Sequence, residues 1–295
     1  MPELVRRNLG NTGMKTMCLG LGCAGFGGGN SSDQDAVEGV RRAIELGLDY
    51  VDTAPLYGQS ERRVGLALEG GWREKIYLQT KMGMYADGTR DYSSAATRSS
   101  VENSLRLLKT DYFDAVLIHE PEAFEDAFAP PDRAIDELLK MKDEGLLRHI
   151  GIGTRSHDQH RRAIETGHIE IVLTYLDYTL VSQTVADTTL PLARERGVGI
   201  ILASILGMGS LAGPEPPPDS RGDGGTALAM WQWCRDNSVN IRHLAMQFGL
   251  AAPVDGIVMA GPANKQQVED AYEAATADID PQIWRAFKAE FGVGI

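Results

Sequence analysis

One stretch of the chain, Asp52–Glu61, places a carboxylate and a tyrosine on a short loop between two predicted elements. Apolar residues before Asp52 predict a strand, and an amphipathic run after the loop predicts a helix that Ser60 caps. Pro55 does not extend a central strand, so the intervening residues form a loop. Asp52 therefore lies at the C-terminal end of a strand, with Tyr57 on the loop that follows. In parallel α/β folds, this edge of the sheet carries the chemistry.

Two further titratable side chains, Lys81 and His119, follow the next two predicted strands. A tyrosine hydroxyl titrates near pH 10, and an adjacent ammonium lowers its pKa because it favours the phenolate. A carboxylate such as Asp52 keeps that ammonium charged in a partly desolvated pocket. A neutral histidine donates a hydrogen bond to a substrate oxygen and orients it. Asp52, Tyr57, Lys81 and His119 together predict a site that transfers a proton.

Each of these residues also has a structural interpretation. Asp52 and Lys81 could form a purely structural ion pair at the rim of the fold. A histidine at a strand end can simply hydrogen-bond a neighbouring carbonyl. Taken singly, those interpretations are the stronger ones. Four such side chains at three successive strand ends favour the catalytic interpretation. The remaining histidines are interpreted as surface or structural residues: His149, His157, His160, His168 and His243.

Length, composition, net charge and cysteine count narrow the class of protein. The chain has 295 residues, of which 43% are hydrophobic, enough for a large core. A formal net charge of -12 disfavours nucleic acid and anionic membranes as partners. The chain has three cysteines, an odd number, and they lack the sequence spacing from histidine that is typical of metal sites. They therefore predict neither a disulfide framework nor a metal site. The first ten residues lack the apolar run of a signal peptide, so we expect a cytoplasmic protein.

Strand-like and helix-like segments alternate along the chain. A hairpin at Arg6–Leu9 turns at Gly10–Gly13 and precedes them. The predicted strands are Met17–Leu21, Tyr50–Val51, Ile76–Gln79, Ala115–Ile118, His149–Ile152, Ile169–Leu173, Gly199–Ala203 and Gly256–Met259. The predicted helices are Asp33–Leu46, Ser60–Leu68, Ser94–Leu108, Asp132–Glu144, Asp158–Glu165, Asp187–Arg196, Thr226–Asp236, Ile241–Ala251, Lys265–Ala275 and Pro281–Phe291. Eight strand–helix units without a linker predict one (β/α)8 TIM barrel domain over residues 1–295, with the hairpin and extra C-terminal helices added. A doubly wound open sheet is the alternative.

Two glycine-rich segments interrupt this alternation. Gly25–Gly29 follows the first strand but lacks a GxGxxG, so it is weak evidence for a phosphate cradle. Gly207–Gly225 is a long irregular segment after the seventh strand. A loop of that length inside a compact domain is usually functional or disordered.

The chain resembles the aldo-keto reductase superfamily over nearly its whole length. The resemblance rests on Leu9–Lys15, the Asp-Thr-Ala-x-x-Tyr-Gly-x-Ser-Glu signature at Asp52–Glu61, Thr80-Lys81, Leu117–His119 and Ser204–Leu211. It implies a barrel, a nicotinamide cofactor lying across the barrel mouth, and hydride transfer at a carbonyl or alcohol carbon. By matching position it makes Tyr57 the general acid and base, with Lys81 and Asp52 tuning it and His119 orienting the substrate.

The same resemblance implies where the cofactor binds. The segment Ser204–Leu211 would lie along the pyrophosphate, since backbone amides of such loops approach phosphate closely. Its candidate residues are Ser204, Leu206, Gly207, Gly209 and Leu211. Thr154 stands where many members have the asparagine that holds the nicotinamide amide. Tyr178 matches an aromatic that stacks on the nicotinamide, although a packing role at the barrel rim fits its position equally well.

The eighth strand leads into a segment that differs from NADPH-dependent members. Those members carry a lysine where this chain has Gly261 and an arginine where it has Gln267. Because those cations grip the 2′-phosphate, NAD is favoured weakly over NADP. Lys265 is a possible substitute cation. Further cofactor candidates in this segment are Asn264 and Asp270.

The segment Thr174–Tyr178 resembles the sugar dehydrogenase branch of the family, which includes L-galactose dehydrogenase and aldose 1-dehydrogenases. We therefore expect a sugar or small polyhydroxy carbonyl as substrate and oxidation of an aldose at C1 to its lactone. The alternative is an NADPH-dependent carbonyl reductase of broad scope. The candidate substrate contacts on the active-face loops are Phe26, Leu56, Met84, Tyr85, Glu120 and Trp231.

Overall fold

The computed structural model describes residues 4–295. A hairpin comes first, with β1 at Arg6–Asn8 and β2 at Lys15–Met17 paired antiparallel. Leu9, in the hairpin turn, is fully buried and packs in the barrel interior. The hairpin therefore closes one end of the barrel and leaves the other end open.

Eight parallel strands form a closed barrel. They are β3 at Leu19–Gly22, β4 at Tyr50–Asp52, β5 at Tyr77–Met82, β6 at Phe113–His119, β7 at Leu147–Gly153, β8 at Ile171–Tyr175, β9 at Gly199–Ala203 and β10 at Gly256–Ala260. The barrel closes where β10 pairs with β3, with Val258 opposite Leu19. This closure confirms the predicted (β/α)8 barrel and removes the free edges that an open doubly wound sheet would have.

Helices surround the barrel and cover its strands. They are α1 at Asp33–Glu45, α2 at Ser60–Leu68, α3 at Ser94–Leu108, α4 at Phe124–Phe128, α5 at Ala134–Asp143, α6 at His157–Glu165, α7 at Thr189–Arg196, α8 at Thr226–Asp236, α9 at Ile241–Leu250, α10 at Lys265–Thr276 and α11 at Pro281–Phe291. Helix α1 begins at a capping box, in which the Ser32 hydroxyl accepts from the Asp35 amide and Asp35 accepts from the Ser32 amide. No described helix is long and apolar enough to cross a membrane.

The structure corrects three local predictions. The first barrel strand begins at Leu19 and not at Met17, because Met17 pairs in the hairpin. The short helix α4 is missing from the sequence prediction, since five residues are too few to show a period. Ser60 does not cap α2, because its hydroxyl lies 2.8 Å from both the Thr53 hydroxyl and the Cys23 carbonyl.

The core is divided by the barrel wall. The barrel interior is filled by Leu117, Ile171, Ile201 and Ile257. Outside the barrel wall, a first and larger hydrophobic cluster lies between the strands and the helices. A second cluster packs beneath α8, α9 and α11 and includes Leu211 and Phe287. The helices added near the C-terminus therefore form a hydrophobic cluster of their own beside the open end of the barrel.

Candidate active site

Strand alternation directs the predicted catalytic side chains into the barrel mouth. Residues two apart on a strand point to the same side. Lys81 lies two residues after Gln79 on β5, and His119 two residues after the interior residue Leu117 on β6. Asp52 ends β4 opposite Gln79 in the register. The last inward positions of three neighbouring strands thus meet above the packed interior.

Asp52 and Lys81 form a buried ion pair. The Lys81 Nζ donates to both Asp52 carboxylate oxygens at 2.6 Å and to the Thr53 carbonyl at 3.0 Å. Their side chains are 7% and 1% exposed. Burial alone would lower the pKa of Lys81, but the interactions with Asp52 and Tyr57 together outweigh it and raise that pKa. Lys81 therefore stays an ammonium at the centre of the site.

A second buried link lies beneath this pair and was missing from the sequence analysis. The Gln79 Nε2 donates to Asp52 Oδ1 at 2.5 Å, and the Tyr50 hydroxyl donates to Gln79 Oε1 at 2.8 Å. Gln79 and Tyr50 are fully buried. The two residues fix the carboxylate from below while Lys81 approaches from the side. In the sequence, only their positions two residues before Lys81 and Asp52 indicate that they face the same side of their strands.

Tyr57 lies on a short 3-10 turn, Pro55–Tyr57, directly beside the ion pair. The Lys81 Nζ is 4.8 Å from the centroid of the Tyr57 ring. Burial raises the pKa of Tyr57 above its ordinary value, and the Lys81 charge opposes that rise. The expectation of a net lowered pKa is therefore wrong, because the cost of burying the phenolate exceeds the attraction of the ammonium.

His119 completes the group with its ring against Tyr57. The two ring centroids are 5.9 Å apart and the rings are nearly perpendicular. Burial and the Lys81 charge hold the pKa of His119 well below its usual value, so the imidazole is neutral. Its Nδ1 is buried and has no hydrogen-bond partner among residues 4–295. A buried polar atom without a partner is uncommon in folded proteins.

Glu120 follows His119 with a left-handed backbone, φ 49°. Its amide donates to the Gly153 carbonyl at 2.9 Å, and its carboxylate accepts from the Thr154 hydroxyl at 3.4 Å. Burial raises the pKa of Glu120. Its charge also contributes to the raised pKa of Tyr57.

The glycine-rich loop after β3 packs against the Tyr57 loop. A Cβ on Gly27 would overlap the Tyr57 carbonyl oxygen, and a Cβ on Gly25 would overlap the Pro262 carbonyl oxygen. The Gly27 carbonyl also accepts from the Gln59 amide at 3.1 Å. These glycines are therefore needed for close contact between active-face loops, and the weak interpretation as a phosphate cradle is not needed to explain them.

The last residues of the signature stabilise the site from outside the barrel. Glu61 is buried on α2 and accepts a hydrogen bond of 2.6 Å from the Thr80 hydroxyl. Thr80 lies between the inward-facing Gln79 and Lys81, so it points outward toward the helix. This contact ties α2, the helix after the Tyr57 loop, to the strand that carries Lys81.

A cleft of about 620 Å³ runs outward from the barrel mouth. Asp52 and Tyr57 line what we call its inner end. Arg242 from α9 and Gln267 and Asp270 from α10 line what we call its outer end. The loops after β9 and β10 form the walls between these ends. The predicted cofactor residues on these surfaces are Ser204, Leu206, Gly209, Gly261, Gln267 and Asp270.

The other predicted cofactor residues are not among those that line the cleft. Leu211 is fully buried in the second cluster, and Gly207 is buried beneath the same loop with φ 62°. Asn264 caps α10, where its side chain accepts from the Gln267 amide at 3.0 Å. Thr154 is 3% exposed and is hydrogen-bonded to Glu120. Phe248 covers one face of Tyr178 at 5.1 Å between centroids, so only the other face is left for a ligand.

The predicted substrate contacts are not among the residues that line the cleft, and Phe26 is not accessible to a ligand. Phe26 is fully buried, with its ring packed at Gly39 on α1, because the loop after β3 folds inward. Trp231 lines a separate groove with Arg242 and donates to the Gly213 carbonyl at 2.8 Å. That groove includes neither Tyr57 nor His119. The candidates left on the active-face loops are all partly exposed: Leu56, Met84, Tyr85 and Glu120.

Known proteins show the same fold and similar sequences. L-galactose dehydrogenase of Arabidopsis thaliana is 33% identical, with 94% of this chain and 89% of that enzyme aligned. D-threo-aldose 1-dehydrogenase of a Pseudomonas species is 28% identical, with 92% and 93% aligned. An aldo-keto reductase structure from Bacillus halodurans superimposes with a TM-score of 0.81 at 24% identity, over 98% of this chain and 96% of that one. This last similarity supports the fold alone.

The pattern of one family matches residues 18–289, which include the barrel, the ion pair at its mouth and the whole cleft. Together with relatives that align over almost the full length, this match shows that the chain belongs to the aldo/keto reductase family and is an NAD(P)-dependent oxidoreductase.

Proposed function

We propose that this chain oxidises a sugar at C1, converting an aldose to its lactone with NAD as the preferred cofactor. The observation that carries the proposal is the buried group of Asp52, Lys81 and His119 around Tyr57 at the inner end of the cleft. The two curated relatives are named as dehydrogenases of sugars, which supports this substrate class.

The cleft suits a dinucleotide in size and shape. Its volume of about 620 Å³ lies within the usual range for small-molecule sites. It extends from Tyr57 past the loop after β9 to the N-terminal turns of α9 and α10. A nicotinamide cofactor bound here would supply the hydride acceptor for oxidation and the hydride donor for reduction. Asp52 and Tyr57 line its inner end, so the proposed acid and base faces the space that a ligand would occupy.

Tyr57 handles the proton that accompanies the hydride. In oxidation the Tyr57 oxygen takes the proton of the C1 hydroxyl, and in reduction it donates that proton to the carbonyl oxygen. Lys81 favours the phenolate by its charge, and Asp52 keeps Lys81 charged and in place. His119 is neutral, so it donates a hydrogen bond to the substrate oxygen without adding a second positive charge.

Glu120 supports a polyhydroxy substrate. Its carboxylate is half-buried, lies near Tyr57 and is held by Thr154. A carboxylate accepts hydrogen bonds from hydroxyl groups and repels anions. We therefore assign Glu120 to the hydroxyl next to the reacting carbon. The left-handed backbone at this residue is a strained conformation of the kind that concentrates at ligand sites.

A binding titration followed by a rate comparison tests the proposal. Quenching of protein fluorescence by NADH and NADPH measures cofactor affinity, and a panel of free aldoses beside a plain aromatic aldehyde measures substrate class. We expect NAD-linked oxidation of at least one aldose and weak turnover of the aldehyde. Glu120→Gln should raise KM for the aldose by about tenfold, since one charge-assisted hydrogen bond is lost. The KM for the aldehyde should hardly change.

A matched control is Glu122→Gln, which removes an exposed carboxylate two residues away that pairs with Arg90. Its kinetics should equal those of the wild type. Efficient NADPH-linked reduction of the aromatic aldehyde with no oxidation of any aldose would contradict the proposed substrate class and identify a general carbonyl reductase.

A further inference from the structure

The outer end of the cleft holds an ion pair between two helices. The Arg242 Nη1 on α9 donates to the Asp270 Oδ2 on α10 at 2.8 Å. Their side chains are 20% and 29% exposed, and both line the cleft. Among the cleft-lining residues that the structure describes, Arg242 alone carries a positive charge. Neither the sequence pattern nor the family signature singles out this arginine.

Two carboxylates lie within ion-pair distance of Arg242. Besides Asp270, the Glu273 carboxylate lies 4.0 Å from its Nη2. The Arg242 Nε is buried and donates to no acceptor within residues 4–295. Asp270 balances Arg242 on the cleft surface, and Glu273, an exposed carboxylate outside the cleft lining, adds a second negative charge beside the pair.

The positions that carry cations in NADPH-dependent relatives do not change this balance. Gln267 is neutral, and its Oε1 accepts from the Ala263 amide at 2.8 Å. Gly261 has no side chain. Lys265, the substitute considered from the sequence, is exposed at the start of α10 and does not line the cleft.

We propose that Asp270, held in place by Arg242, accepts a hydrogen bond from the adenosine ribose hydroxyls of the cofactor and disfavours a 2′-phosphate. The inference rests on the proposed function, because it needs a dinucleotide in this cleft. A carboxylate can only accept hydrogen bonds, which a ribose hydroxyl can donate and a phosphate cannot. The same carboxylate repels the phosphate charge.

Arg242 is poorly placed to bind the phosphate itself. To do so it would have to release Asp270, and that carboxylate would then stand beside the phosphate without its cation. Asp270 also stays ionised, because the Gln266 amide hydrogen-bonds it and, with Arg242, lowers its pKa despite partial burial. The pair therefore acts as a discriminator of the 2′ substituent.

Nucleotide titrations on a small set of variants test this proposal. Dissociation constants for NADH and NADPH are measured by fluorescence quenching on wild type, Asp270→Asn, Arg242→Gln and the double variant. We expect wild type to bind NADH more tightly. Asp270→Asn should raise the affinity for NADPH by about tenfold, since it removes the repelling charge and frees Arg242. In the double variant the part of that gain that comes from the freed Arg242 should be lost.

Arg242→Gln provides an independent arm if Asp270→Asn folds poorly. Without the cation, Asp270 faces the phosphate uncompensated, so the preference for NADH should widen. Glu269→Gln is the matched control. It removes a carboxylate next to Asp270 on α10 that pairs with Arg42 at 2.8 Å and does not line the cleft. Both of its dissociation constants should equal those of the wild type.

Each failure has a separate meaning. Equal binding of NADH and NADPH by wild type, or an unchanged ratio in Asp270→Asn, contradicts the discriminator and leaves the proposed function standing. A wild-type protein that binds neither nucleotide contradicts the proposed function, and the inference fails with it.

Discussion

Tyr57 experiences two opposing electrostatic effects. Burial disfavours its phenolate, and the Lys81 ammonium 4.8 Å from the ring centroid favours it. Because burial is the larger effect, the pKa of Tyr57 is raised above its ordinary value of 10.0. At neutral pH the side chain is a phenol. Reduction needs that protonated form, and oxidation needs the small phenolate fraction.

The sign of the pH dependence follows from this raised pKa. The phenolate fraction grows tenfold per pH unit below the pKa, so the oxidation rate should rise with pH up to the alkaline range. The reduction rate should stay level through neutral pH and fall only as pH passes the pKa of Tyr57. Values of kcat/KM for both directions, taken with chemistry rate-limiting, measure this. Flat profiles in both directions would contradict the role of Tyr57.

Lys81→Met adds a sharper version of that measurement. Removing the ammonium takes away the one charge that lowers the pKa of Tyr57, so the rise in oxidation rate should move to higher pH. It also leaves Asp52 buried without its partner, which costs about 3–5 kcal/mol of unfolding free energy. The double variant with Asp52→Asn removes that unpaired charge. It should recover stability while keeping the displaced profile, which a purely structural role for Lys81 would not produce.

Tyr57→Phe isolates the proton transfer. Deleting the hydroxyl should reduce kcat by roughly 10²–10⁴-fold, the usual contribution of a positioned acid or base. NADH affinity should stay near that of wild type, because the ring and its loop remain. Tyr112→Phe is the control, since Tyr112 precedes β6 and packs under Arg73 and Arg148 at the other end of the strand. Undiminished turnover in Tyr57→Phe would refute the proposed acid and base.

At the scale of elements, the loops after β3 and β4 determine where Tyr57 stands. The Gly27 carbonyl accepts from the Gln59 amide, and the absence of a side chain at Gly27 allows the Tyr57 backbone to lie directly against it. The Ser60 hydroxyl adds a contact to the Cys23 carbonyl at 2.8 Å. The tyrosine loop is thus positioned by a neighbouring loop as well as by its own strand.

Gly27→Ala should therefore damage catalysis from outside the reacting group. The new methyl group would overlap the Tyr57 carbonyl oxygen, so the loop must move and kcat should fall by about 10²-fold or more. Gly28→Ala is a matched control on the adjacent residue, where an added Cβ has no neighbour within 4 Å in the described structure. Steady-state kinetics together with thermal unfolding measure both variants. Equal kcat values for the two would show that the loop contact is irrelevant.

At the scale of the whole molecule, the helices beyond the barrel stabilise the cofactor cleft. Leu206 lines the cleft and packs against the second cluster, and Leu211 is buried within it. Phe287 on α11 is fully buried in the same cluster, 5.3 Å from the Trp233 ring centroid. The C-terminal helix thus contacts the cluster on which the loop after β9 rests.

Phe287→Ala tests this connection. Removing a buried phenylalanine should lower the free energy of unfolding by about 3–5 kcal/mol. It should also weaken NADH binding, because the cluster beneath Leu206 and Leu211 loosens. Phe291→Ala, at a partly exposed position on the same helix, should cost less in both measurements. Denaturant unfolding and fluorescence titration provide the two values. A large loss of stability with wild-type NADH affinity would separate the helix from the cleft.

Local signals in the sequence were enough to predict the barrel and the catalytic group. Hydrophobic alternation and helix caps located eight strand–helix units, and parallel strands bring their C-terminal ends to one face. Asp52, Lys81 and His119 are therefore neighbours in space because each ends a strand. The family resemblance added the cofactor and the class of reaction.

Only the tertiary structure decided features that depend on packing between distant segments. Contacts between loops and neighbouring strands determine three such features. They are the burial of Phe26, the position of Trp231 in its groove and the hydrogen bond from Gln79 to Asp52. The raised pKa of Tyr57 depends on how closely several segments surround its hydroxyl, which no motif contains. Arg242 and Asp270 lie 28 residues apart on two helices, and no local pattern brings such charges together. Periodicity reports which side of an element is buried, whereas the partner on that side is determined by the packing of the whole chain.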